Sequence, residues 1–302
     1  MTAAATEPSG TGVGNAQDTG SADTGTQDTG AQATRRSRTT VVTFLGAVVR
    51  PLGGWTPIAG AVELLSQCGL DDPGVRTAIH RLKRKGWLAS QTRDGVRGYA
   101  LTETATATLA AGDEVIWHAR TPPALADGWC IVNFSVPESK RALRHQLRAH
   151  LAALGFGNIG TAVWIAPARM RPAAARAVAE LGLEPFTTIF TGDYHGPQDL
   201  TTLAYDSWDL AAIDQGYRGF VDAYGDLASR IEEAAPSGRE AFTLHLQMID
   251  AWRRLPFRDP GLPREVLAAD WPGPSAARLF ERMVAVLEAP ALAHAAGYWP
   301  KA

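Results

Sequence analysis

The sequence predicts an α+β protein with an N-terminal winged helix-turn-helix, a central ferredoxin-like sheet and a C-terminal helical region. Three observations predict it. Between Asp72 and Leu88 a capped, cationic helix pattern runs straight into a hairpin pattern; from Gly128 to Thr191 strand and helix periods alternate; and from Asp199 onward the apolar spacing is helical throughout. The resulting division is a tail over residues 1–37, a DNA-binding part over 38–120, the sheet over 121–198 and helices over 199–302.

The first thirty or so residues are Ala, Thr, Gly, Gln and Asp, with Asp-Thr-Gly recurring at Asp18, Asp23 and Asp28. So little apolar surface cannot offset the entropy of ordering, and disorder is expected. Arg35, Arg36 and Arg38 at its end are either a short phosphate-touching arm or simply solubilising.

Val41 to Val49 reads as an apolar helix. Thr56 would cap a second one, with Pro57 at its first position, Ile58, Val62 and Leu65 along its buried stripe, and Gly69 as its stop. The third is expected to be capped by Asp72 with Pro73 at its first position and Gly86 as its stop. Val75, Ala78, Ile79 and Leu82 recur at helical spacing and must face a core, which leaves Arg76, Thr77, His80, Arg81, Lys83 and Arg84 outside. Trp87 to Ser90 and Gly98 to Leu101 then read as two strands, joined by a segment holding the hairpin-turn dipeptide Asp94-Gly95, with Arg93 and Arg97 at the tip.

Charge points the same way. The whole chain is nearly neutral at −2, yet Thr34 to Leu101 holds eleven basic residues against four acidic ones. One basic part on an acidic remainder is the distribution expected when a single surface meets phosphate. The expected DNA contacts are therefore Arg76, Thr77, His80 and Arg81 nearest the base edges, with Arg84, Arg93 and Arg97 on phosphate or the minor groove.

Several classes are not expected. No apolar run approaches the ~20 residues that span a bilayer, and the N-terminus has neither a basic nor an apolar leader region, so cytoplasmic residence is expected. The two cysteines, Cys68 and Cys130, are far apart and read as small core hydrophobes, so no disulfide, metal or cofactor is expected.

In the central part, Trp129 to Ser135 is a strand and Pro137 to Leu154 an amphipathic helix with Leu143, Leu147, Leu151 and Leu154 on one face. A strand over Thr161 to Ala166, a helix over Pro172 to Leu181 and a strand over Pro185 to Thr191 follow, which suggests a small sheet with helices on one face. Arg141, Arg144 and Arg148 on the first of these helices are either a solvated face or an anion contact. The C-terminal part, interrupted at Pro236 to Gly238, Pro256 to Pro263 and Trp271 to Pro274, is expected to form three helices with two rigid connectors. Its aromatic residues are mostly core material, but Trp252 beside Arg253 and Arg254 is either packed there or stacks an aromatic ligand next to positive charge.

From about Thr40 to Leu292 the chain resembles the PaaX-type repressors of phenylacetic acid catabolism. The resemblance is carried by Val75 to Leu88, Gly98 to Thr102, Trp129 to Glu138, Leu147 to Pro167, and Trp252 to Pro263 with Asp270-Trp271-Pro272-Gly273. It implies a homodimeric repressor, not an enzyme, that binds double-stranded operator DNA and is released by an aryl-acyl-coenzyme A such as phenylacetyl-CoA. It also implies that the central part resembles the small CRISPR-associated ferredoxin-like nucleases. A metal-dependent nuclease needs an acidic residue at the end of its first strand. Asn133, Phe134 and Ser135 stand there, with no carboxylate before Glu138. A DNA-binding scaffold without any small-molecule effector is the further alternative. If an effector binds, a cleft between the helix bearing Arg141, Arg144 and Arg148 and the segment bearing Trp252, Arg253 and Arg254 is expected to take both its apolar acyl end and its phosphates.

Overall fold

The computed structural model describes residues 39–117 and 122–300. The expected disordered tail over residues 1–37, the basic cluster Arg35, Arg36 and Arg38, and the expected division at 120/121 lie outside the described residues.

The chain is a mixed α+β structure with two small antiparallel sheets and a helical C-terminal region. Helix α1 runs over residues 39–44 and continues as a π-helical stretch, Leu45–Val49. Strand β1, Trp55–Pro57, follows, then α2, Ile58–Gln67, and α3, Asp72–Arg84. Thr56 is therefore not a cap: it lies in β1, buried opposite Tyr99. Extended pairing with a neighbouring strand won over the local capping signal, and Pro57 sits at the N-cap instead. At α3 the cap is Asp71, whose side chain accepts from the Gly74 amide at 3.2 Å, so Asp72 is inside the helix. Two adjacent aspartates made the one-residue shift invisible in the sequence.

Strands β2, Leu88–Arg93, and β3, Val96–Leu101, are longer than their patterns predict. Their pairing runs down to Arg93 opposite Val96, leaving only Asp94 and Gly95 in the turn. Both have positive φ, 49° and 75°, the combination of a type I′ hairpin turn. The sheet order is β1-β3-β2. The Trp55 indole of β1 lies against Gly98 of β3, where a Cβ would collide with it. Helix α4, Glu103–Ile116, adds to the elements expected from the sequence and is capped by the Thr102 hydroxyl, which accepts from the Ala105 amide.

The second sheet is made of β4, Trp129–Phe134; β5, Gly157–Gly160; β6, Val163–Pro167; and β7, Thr187–Gly192, in the order β5-β6-β4-β7, every pair antiparallel. Helices α5, Arg141–Ala153, and α6, Arg171–Glu180, supply Leu147, Leu151, Ala174 and Val178 to one face, against Cys130, Val132 and Phe134 of β4. The alternate residues Trp129 and Ile165 belong to a different core, shared with the C-terminal helices.

Four helices, not three, follow: α7, Leu200–Ser207; α8, Leu210–Glu233; α9, Gly238–Trp252; and α10, Gly273–Ala296. The break at Trp208 and Asp209 escaped the sequence reading because it carries no Pro or Gly; Asp209 caps α8 through the Ala212 amide. Trp271 to Pro274 is the entry to α10 rather than a separate connector. Trp252 and Phe280 stack with centroids 4.7 Å apart, and Phe220 and Tyr217 close the cluster. Phe257, at 56% exposed, and Tyr205 of α7 stand outside this core.

One hydrophobic cluster runs from α1, α2 and α3 into α8, α9 and α10. Polar ties reinforce it: Trp299 Nε1 donates to the Trp55 carbonyl at 2.8 Å, and Gln67 Nε2 to the Tyr298 hydroxyl at 2.7 Å. Asp250, 7% exposed, accepts from the Thr43 hydroxyl at 2.8 Å. Cys68 and Cys130 are both buried, and burial pushes each thiol up to about 11.

Candidate nucleic-acid interface

The outer arc of α3 follows from its 3.6-residue period. Val75, Ala78, Ile79 and Leu82 are buried, while Arg76, Thr77, His80, Arg81 and Arg84 are all exposed. Arg93 and Arg97 are exposed at the end of the hairpin. Burying four apolar side chains at one pole of a helix forces its polar residues to the other, so the arc is a consequence of packing.

Several of these cations are already held. Arg76 pairs with Asp72 one turn back at 2.5 Å, and that hydrogen bond raises the guanidinium pKa further. Lys83 donates to the Ser90 hydroxyl at 2.8 Å and lies 5.4 Å from the centre of the Tyr99 ring, which braces α3 against the hairpin. Arg93 donates to Gln91 and sits 5.3 Å from the Trp55 ring centre, which holds the guanidinium on the sheet. Lys83 is thus a bracing residue between α3 and the hairpin.

At the C-terminal end of α3, Arg81, Arg84 and Lys85 line a cleft of about 580 Å³ together with Thr39, Trp87 and Arg253. Arg253, expected at an effector site, therefore stands beside the cationic end of α3. It also donates to Asp250 at 3.2 Å and to the Thr39 carbonyl at 3.1 Å. Arg254 donates to the other Asp250 oxygen at 2.6 Å. The two pairs have i,i+3 and i,i+4 spacing, a signal legible in the sequence itself.

The structure gives the two groups of residues expected at an effector site separate partners: Glu138 and nearby carbonyls for Arg141, Arg144 and Arg148, and Asp250, Thr39 and Ile116 for Trp252, Arg253 and Arg254. Arg144 donates to Glu138 at 2.7 Å and to the Val136 carbonyl; Arg141 pairs with the same glutamate; Arg148 donates to the Thr161 carbonyl and lies over Trp164. Trp252, 2% exposed, instead donates through Nε1 to the Ile116 carbonyl at the end of α4, at 2.8 Å. It also walls a cavity of about 290 Å³ with Tyr217, Trp271, Asp259 and Arg264.

At the end of β4, Asn133 and Ser135 are exposed, and Glu138 is held by Arg144. Among the described residues, no three His, Cys, Asp or Glu side chains gather to hold a metal ion, and no helix is long and apolar enough to cross a membrane.

Three family models match the chain in succession: PaaX-like protein over residues 36–105, PaaX protein central Cas2-like domain over 122–204, and PaaX-like protein C-terminal domain over 208–297. The chain is 27% identical over 252 residues to the transcriptional repressor PaaX of Escherichia coli strain K12, covering 80% of this chain and 78% of that protein. Among solved structures, an uncharacterised protein, Rv0674 from Mycobacterium tuberculosis, shares the fold with a TM-score of 0.52 and 22% identity, over 83% of this chain and 96% of the other.

Proposed function

This chain belongs to the PaaX-type family of transcriptional repressors, and from that premise we propose that it is a cytoplasmic, homodimeric DNA-binding repressor released from its operator by an aryl-acyl-coenzyme A. The single observation that carries the DNA reading is the exposed arc of α3, with Arg76, Thr77, His80, Arg81 and Arg84 on one side of a helix whose opposite side is buried. In this reading α1, α2 and α3 are a helix-turn-helix and β2 with β3 its wing, and α3 enters the major groove. Arg93 and Arg97 meet the backbone beside it. Arg253 is added to that surface through the cleft it shares with Arg81, Arg84 and Lys85.

The βαββαβ order of β4 to β7 and the antiparallel arrangement β5-β6-β4-β7 support a ferredoxin-like reading of the central part. It serves here as scaffold rather than nuclease, since the end of β4 offers Asn133 and Ser135 where a metal enzyme needs a carboxylate. One winged helix reads one short half-site, and discrimination against a genome calls for two, so a two-fold homodimer on a pseudo-palindrome is the economical assembly. Phenylacetyl-CoA is the effector of first choice, on the family resemblance.

Fluorescence anisotropy on DNA from the upstream region of the chain's own gene tests the reading. Saturable, salt-dependent binding reversed by phenylacetyl-CoA is the expected result. Binding no tighter than to random DNA of equal length rejects it.

A further inference from the structure

We propose that the cavity between α8, α9, α10 and the proline-rich connector is a binding site for an uncharged planar aromatic group, the aryl end of the effector. The inference rests on the ligand-released reading above but names a site that reading left open. Tyr217, Trp252 and Trp271 wall the cavity, with Leu262, Leu267 and Ala277 completing its apolar lining. Tyr217 stands 6.0 Å from Trp252 at 50° and 6.2 Å from Trp271 at 74°, so the walls are inclined to one another. Such rings offer both a face and an edge to a guest ring, the two favourable aromatic geometries.

Size narrows the guest. At about 290 Å³ the cavity stands at the small end of ligand pockets, roughly 300–1,000 Å³, enough for one ring and a short linker but not for a nucleotide. Charge narrows it further. Asp259 belongs to the lining, its carboxylate accepting from the Tyr217 hydroxyl at 2.9 Å and from the Gly261 amide at 2.8 Å. A guest carboxylate brought beside it meets a like charge, whereas an amide or thioester carbonyl does not. Arg264 is exposed at the rim and donates to the Ala269 carbonyl, which places a cation where a polar tail leaves the cavity. The site is therefore built for an aromatic acyl group already joined to a carrier, in preference to the free acid.

Ligand-observed NMR and calorimetry on the full chain, with phenylacetamide and phenylacetate as probes, test the site. Phenylacetamide is expected to saturate on the order of millimolar, and phenylacetate to bind about tenfold more weakly. Ala277→Phe, which places a ring inside the cavity, should abolish phenylacetamide binding; Ala277→Leu, a smaller filler, should weaken it if the larger variant does not fold. Asp259→Asn should close the gap between the two probes. Saturation unchanged in a folded Ala277 variant, or no binding of phenylacetamide by the unmodified chain, overturns the site; equal affinity for both probes overturns the charge selection. Operator release by phenylacetyl-CoA is read separately. Release undiminished in the Ala277 variant rejects the cavity and leaves the ligand-released reading standing, whereas no release alongside phenylacetamide saturation that the Ala277 variant loses rejects that reading and supports the cavity.

Discussion

The indole Nε1 of Trp252 donates to the backbone carbonyl of Ile116 at 2.8 Å, so one residue both walls the aromatic cavity and holds the end of α4. Helix α4 follows directly from the hairpin through the Thr102 cap, and two residues before Trp252 the buried Asp250 accepts from Thr43 of α1. If the proposed guest ring shifts Trp252, the contacts to Ile116 and, through α9, to Thr43 would carry that shift to the N-terminal helices. A ligand releases DNA only to the extent that it favours the arrangement that cannot bind.

Trp252→Phe keeps an aromatic wall but removes the donor. Effector affinity should stay within a few-fold, while the change in operator affinity on adding effector shrinks. Paired titrations with and without DNA check this; full coupling in the variant would mean that the Ile116 bond carries no signal.

Arg76→Ala should lower affinity for the specific operator by about 1–3 kcal/mol, with less effect on random DNA. Arg93→Ala should weaken all sequences alike and reduce the salt slope by about one. Anisotropy at several salt concentrations separates the two. Equal losses on specific and random DNA for Arg76→Ala would move that side chain onto phosphate.

Gly98→Ala should destabilise the fold, because its Cβ would collide with the Trp55 indole. Overpacking of this kind costs about 1–3 kcal/mol. Since Arg93 lies over the same ring, the variant should also shift the hairpin and weaken DNA binding. Denaturant unfolding and anisotropy together read both effects.

Stability should fall as pH drops from about 6.5 towards 4, because burial pushes His245 down to about 4 from its ordinary value of 6.5. In that window the unfolded chain binds the proton and the folded chain does not, so protonation favours unfolding; above 6.5 the contribution is fully present. Neither ring nitrogen has a hydrogen-bond partner, so His245→Phe should flatten the pH dependence without a large loss at pH 7. His294, also lowered by burial, leaves a smaller slope of the same sign. Thermal unfolding from pH 4.5 to 7.5 decides it, and an unchanged slope in the variant rejects the assignment.

The arc of α3 was legible in advance because helical period and burial are the same information: Val75, Ala78, Ile79 and Leu82 are buried as their spacing requires. The hairpin was legible through Asp94-Gly95, though its strands proved longer, since cross-strand pairing extends as far as geometry allows. Helix α4 was missed because its Thr- and Ala-rich start offers little apolar contrast. Arg141, Arg144 and Arg148 showed their charge in the sequence but not their partners, Glu138 and the carbonyls of Val136 and Thr161. The sequence leaves Arg253 either at a ligand or beside packed core; it stands next to Arg81, Arg84 and Lys85, a neighbourhood concealed by a separation of 168 or more positions along the chain.

The sequence by itself determined the buried and cationic faces of α3, the hairpin turn that follows it, and the family to which the chain belongs, because local period, turn chemistry and motif order act over short stretches. Only the tertiary structure decided that the N-terminal helices and α8, α9 and α10 share one core, that Trp252 walls a cavity with Tyr217 and Trp271, and that Asp259 stands beside them. Those relations join segments far apart along the chain, and they are selected by the burial of apolar surface, which is non-directional and leaves no local mark on the residues it brings together.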